Sequence, residues 1–107
     1  MINKKHYLKG YVYLLTDGEF YKIGVTRGSI DKRISKLQTG NPNDISIVRY
    51  HATEHPFKLE KMLHNKYKLQ NVNNEWFSLS LEDINNFESV CNNFEDIIIA
   101  LKDNPFF

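Results

Sequence analysis

Two strand-length runs, Gly10 to Leu15 and Phe20 to Val25, flank the polar string Asp17-Gly18-Glu19. Both runs are rich in β-branched and aromatic residues, and an Asp-Gly turn between such runs is a strong short-range signal for a β-hairpin. The hairpin predicts a fold built on an antiparallel pair. It also sets Tyr11-Val12-Tyr13 beside Tyr21-Lys22-Ile23-Gly24, so that Tyr13 and Lys22 lie on paired strands within reach of one substrate atom.

A chain of 107 residues suits one compact domain, long enough for a modest core without disulfides or metals to hold it together. The lone Cys91 stands in an amphipathic stretch with Phe87 and Phe94 and reads as a small core residue with no cysteine to pair with. No apolar run approaches the roughly 18 residues of a membrane helix, and Met1-Ile2-Asn3-Lys4-Lys5-His6 lacks the apolar region of a signal peptide. A cytoplasmic or otherwise intracellular protein with no membrane partner is expected.

The formal charge of +1 hides an asymmetry, since residues 1–74 hold 13 of the 14 Lys/Arg but only 6 of the 13 Asp/Glu. The body therefore carries +7 and residues 75–107 carry −6. A basic body with an acidic end suits a polyanion-binding face and a helix turned away from it or covering it, although two ordinary solvated faces would read alike.

Residues 1–9, with Lys4, Lys5, His6 and Lys9, are expected as a flexible basic arm. A helix is expected from Ile30 to Gln38, with Ile30, Ile34 and Leu37 on one stripe and Lys32, Arg33 and Lys36 off it. Thr39-Gly40-Asn41-Pro42 ends it, and Ile45 to Ala52 reads as a third strand. Thr53 is a candidate N-cap for a helix to about Leu69, with Pro56 in its first turn and Leu59, Met62, Leu63 and Tyr67 on its buried stripe. Glu60 and His64, four apart, share an adjacent face. Ser80-Leu81-Glu82-Asp83 resembles a capping box. The stripe Ile84, Phe87, Cys91, Phe94, Ile98 and Leu101 that follows predicts an amphipathic helix, or a helix pair, packed on the core. That stripe is short for a coiled coil, so a monomer is expected, with a dimer as the alternative.

Phosphodiester cleavage needs a group to deprotonate the attacking water, positive charge at the phosphate, and a carboxylate-held cation. Glu60 is a candidate metal carboxylate on a rigid helix, and Arg33 can hold a phosphate bidentately. Tyr13, Tyr21, Lys22 and His64 are candidates for proton transfer. Arg27, Lys32, Lys36 and Lys61 are candidate nucleic-acid backbone contacts, which give affinity and salt dependence without sequence selectivity.

The order Tyr11-Val12-Tyr13, Lys22-Ile23-Gly24, Arg33, and Glu60 within Leu59-Glu60-Lys61-Met62-Leu63-His64 resembles the GIY-YIG nuclease superfamily over about Gly10 to Leu79. Tyr-Lys-Ile-Gly, Arg-Ile-Ser-Lys-Leu-Gln-Thr-Gly-Asn-Pro and Glu-Trp-Phe look like its short phage, viral and bacterial branch. The resemblance implies an α/β (α+β) domain with a small three-stranded antiparallel sheet flanked by helices: a nuclease core over residues 10–80 and a C-terminal helical segment over 81–107. It further implies a Mg- or Mn-dependent endonuclease acting on nucleic acid, DNA above all, with Tyr13 helping to activate water, Arg33 on the phosphate and Glu60 on the metal. The chain departs from the pattern where Lys22 replaces the second motif's Tyr, with Tyr21 one residue early, and where Leu37 replaces a His or Tyr. His51 or His64 would then supply that proton-handling group, and Asn73 and Asn74 match a later Asn by spacing. The alternative is a degenerate member that binds DNA without cutting; a third reading is a protein-interaction module built on residues 82–102.

Overall fold

The computed structural model describes residues 10–106, so the basic arm expected over residues 1–9 lies outside the described residues. Strands β1 (Gly10–Thr16) and β2 (Tyr21–Thr26) form the expected hairpin, with Thr16 opposite Tyr21. Asp17 Oδ1 closes its turn by accepting from the Phe20 N–H at 2.8 Å and the Glu19 N–H at 2.9 Å. These amides hold the Asp17 carboxyl below its usual range. Gly18 takes φ of 102°, a conformation open to glycine without a Cβ penalty.

Helix α1 (Ile30–Thr39) starts at Ser29, whose Oγ accepts from the Lys32 N–H at 3.3 Å, and ends at Gly40. Strand β3 (Ser46–Thr53) then pairs with the free side of β1. Helix α2 (Pro56–Lys66) follows with Pro56 in its first turn, where its missing N–H costs nothing. Thr53 is not its N-cap: it ends β3, and its Oγ1 accepts from the His55 N–H at 2.9 Å, which leaves His55 in the capping position. A 3₁₀ turn (Lys68–Gln70), β4 (Asn71–Asn73), β5 (Trp76–Phe77) and α3 (Leu81–Leu101) complete the chain. The capping box is present: Ser80 Oγ accepts from the Asp83 N–H at 3.1 Å, and the Ser80 N–H donates to Asp83 Oδ2 at 3.0 Å.

The sheet is antiparallel with order β3-β1-β2-β5-β4, so the α+β class holds, and the three expected strands are extended by two short ones. Strand parity divides the buried residues between two faces. On one face Val12, Leu14, Ile23 and Phe77 pack with Leu59 and Leu63 of α2 and with Ile84, Phe87, Cys91 and Ile98 of α3. Each wholly buried Leu, Ile or Phe contributes about 1.5–3 kcal/mol relative to an exposed one. The acidic C-terminal segment is thus one continuous 21-residue helix closing this core. Tyr13, Leu15, Lys22 and Gly24 belong to the other face, which α1, with no fully buried residue of its own, meets through the Arg33–Tyr13 hydrogen bond. Among the described residues no helix is long and apolar enough to cross a membrane.

Candidate functional site

Tyr13 stands opposite Gly24 across the β1–β2 ladder, and its ring lies so close over β2 that a Cβ at residue 24 would collide with it. Glycine is needed there for close approach rather than for a special dihedral. The tyrosine is only 1% exposed, and its hydroxyl oxygen accepts from Arg33 Nε at 3.2 Å. That bond leaves the Nη donors of the guanidinium for another ligand. It also raises the Arg33 pKa further, so the side chain is a permanent cation.

Strand β5 pairs with β2 only through Tyr21 and Lys22. Asn74 takes φ of 51°, a left-handed conformation that asparagine tolerates. Glu75 follows it, with its carbonyl accepting from the Ile23 N–H at 3.1 Å. The Glu75 carboxylate meets the buried Lys22 ammonium, Nζ to Oε2 at 2.7 Å. Lys22 Nζ also lies 5.9 Å from the Trp76 ring centre.

Glu60 and His64, one helical turn apart on α2, reach the same place from the core side. His64 Nε2 is 2.9 Å from the Ile23 carbonyl oxygen. A carbonyl can only accept, so Nε2 carries the proton and the neutral ring has its lone pair on Nδ1. The ring is braced edge-on by Phe77, with centroids 5.1 Å apart. One ligand atom from each of Glu60, His64 and Glu75 lies within 4.8 Å of the other two.

Burial pushes the Glu60 carboxyl up to about 7, reinforced by the charge and hydrogen bond of Glu75 and opposed by Lys22 and Arg33. Glu75 is held below its ordinary value, against its own burial, chiefly by the hydrogen bond and charge of Lys22. The two carboxyls therefore keep one proton on Glu60 near neutrality, as close like charges require. Glu60 Oε2 is buried with no hydrogen-bond partner. An orphaned acceptor, a second carboxylate and an imidazole lone pair are the donors that a divalent cation takes.

Of the residues singled out in the sequence, Tyr13, Arg33, Lys22, Glu60 and His64 converge here. Tyr21 does not: a one-residue offset turns it to the opposite face, where it packs against the core. Lys22 reaches the cluster as a hydrogen-bond donor, with Nζ 2.7 Å from Glu75 Oε2. Lys32 and Lys36 are exposed and flank Arg33 on a groove with Thr26, Gly28 and Ser29. Arg27 lies over the Phe57 ring at 5.4 Å, and Lys61 is exposed beside Glu60. Leu37 is half-buried, and His51 pairs with Glu95 of α3 at 3.3 Å, so neither serves the cluster. Glu75 is the member that sequence reasoning missed; its one signal was its place in the Glu-Trp-Phe string.

Neither a curated protein nor a solved structure matches the chain. The family model that does match describes a T5orf172 domain over residues 10–92, from β1 to the middle of α3. On that match the chain belongs to the T5orf172 domain family.

Proposed function

We propose that this domain is a metal-dependent endonuclease that hydrolyses phosphodiester bonds of nucleic acid, DNA first among them. One observation carries the reading: Glu60, His64 and Glu75 offer ligand atoms within 4.8 Å of one another, beside the Tyr13–Arg33 pair. Membership in a phage-associated domain family related to nuclease-type domains supports it.

The orphaned Glu60 Oε2 fits a cation. Glu60 would hold Mg or Mn together with Glu75 and His64 Nδ1, and a bound divalent ion supplies charge against the anion developing at the phosphate. Arg33 offers its Nη donors to the non-bridging oxygens. Tyr13, fixed between Arg33 and Gly24, holds the attacking water through its hydroxyl. Lys22 is a positioning residue that keeps Glu75 ionised and aimed. Arg27, Lys32, Lys36 and Lys61 take the flanking phosphates, with affinity that falls as salt rises.

The test is nicking of supercoiled plasmid with Mg or Mn by wild-type protein and by Glu60→Ala. Cutting that Glu60→Ala abolishes, with DNA binding kept, supports the reading. A second reading, a DNA-binding module that does not cut, is favoured by Lys22, whose ammonium sits 2.7 Å from Glu75 as a resident cation. DNA binding by wild-type protein with no cutting in either metal selects that one.

A further inference from the structure

An open concavity of about 700 Å³ lies on the Tyr13 face of the sheet, walled by Tyr11, Ile47, Tyr50, Arg27 and the start of α1 with Asp31. Unlike the core face, this one leaves large apolar groups uncovered: Tyr50 is 62% exposed and Ile47 39%. Tyr50 and Tyr11 meet edge to face, ring centres 6.1 Å apart and planes at 68°. That geometry fixes the pair while engaging only one face of one ring, so an aromatic face remains for a flat ligand. Tyr50 is also directly opposite Tyr13 across β1–β3. Its backbone is thus one strand spacing, about 5 Å, from the backbone of the residue assigned to the attacking water.

We infer that this concavity takes an unpaired nucleobase of the bound strand, next to the bond that is cut, so that the substrate is nucleic acid with a single-stranded segment such as a flap, gap or overhang. The inference rests on the nucleic-acid reading above. A base inside a duplex is stacked on both faces and cannot accept a tyrosine, whereas an unpaired base stacks on one readily. Charge agrees with this placement. Asp31 on the wall suits the amino edge of a base and offsets the charge of Arg27 beside it, while Lys32 and Lys36 provide cations for the backbone outside the concavity.

Fluorescence anisotropy in EDTA, where nothing is cut, tests this with a labelled single-stranded oligonucleotide and a blunt duplex of the same sequence. Tyr50→Ala is expected to weaken single-strand binding roughly tenfold, in line with the loss of one stacked base, and duplex binding less than twofold. Tyr50→Phe, which keeps the ring, restores single-strand affinity; Lys36→Ala weakens both probes alike. Circular dichroism melts check that the Tyr50 variants fold as wild type does. Equal loss on both probes, no loss, or wild-type preference for blunt duplex overturns the inference. Because no metal is present, a protein that fails to nick plasmid still gives a decisive result here. Conversely, cleavage that persists without a Tyr50 effect on binding sinks this inference and leaves the nuclease reading standing.

Discussion

Glu60→Gln separates what the cluster does for chemistry from what it costs the fold. Glutamine has the shape of the protonated carboxyl and can likewise donate to Glu75. Glu60 titrates at about 7 against an ordinary 4.5. A carboxyl raised in this way binds its proton more tightly folded than unfolded. Its stabilising contribution is complete below about pH 4.5, declines as the pH rises, and is gone above about 7. At about 1.4 kcal/mol per pH unit that interval is worth at most about 3 kcal/mol. Partial exposure and the opposite shift of Glu75 reduce it to about 1–2 kcal/mol. Metal-free wild-type protein at pH 8 therefore carries an ionised pair that the glutamine variant avoids. Expected in thermal melts is a variant about 5–10 °C more stable than wild type at pH 8, with the gap closing toward pH 4.5. Manganese at pH 8 should raise the wild-type melting temperature and leave the variant unmoved, because only wild type retains the full ligand set. A variant less stable at pH 8, or a gap independent of pH, would refute the reasoning. An equal response to manganese would remove Glu60 from the ligand set.

Lys22→Met should cost about 1–2 kcal/mol in urea denaturation, a figure discounted because the Glu75 side chain is 39% exposed. Manganese should reverse that loss if the carboxylates form a cation site; no reversal would count against one. Gly24→Ala forces a Cβ into the Tyr13 ring, and overpacking of this kind costs about 1–3 kcal/mol. Its nicking rate should fall with Tyr13 displaced, and an unchanged urea midpoint would show that the close approach does not matter. Cys91 is wholly buried, and burial followed by Glu95 and Glu88 pushes its thiol up to about 12. Ellman's reagent at pH 8 should leave it unmodified until denaturant is added, and prompt labelling of native protein would contradict that burial.

What the sequence made legible follows from period and range. The hairpin was readable because Asp17 and Gly18 carry the turn chemistry locally, and α1 because Ser29, Ile30, Ile34, Leu37 and Gly40 all agree within a dozen residues. The parity of Tyr21 against Lys22 was also readable, since a strand's period of two decides it. Strand β4 was not, because three residues cannot display an alternation. Glu75 was invisible for a different reason: its meaning comes from Lys22, 53 residues away, and from a left-handed Asn74 that no periodicity announces. The His64 lone pair likewise depends on the Ile23 carbonyl, a backbone partner supplied only by the packing of α2 on β2.

The family match stops at Asn92, in the middle of α3, but the folded unit does not. Beyond that point Ile98 is 1% exposed in the core, Phe94 packs against it, and Glu95 ties the helix to His51 of β3. A fragment trimmed to the shared segment would sever the helix and open the floor of the sheet to water. The stretch that relatives have in common is therefore shorter than the stretch that must be kept together, and expression or domain-swap boundaries belong after Leu101.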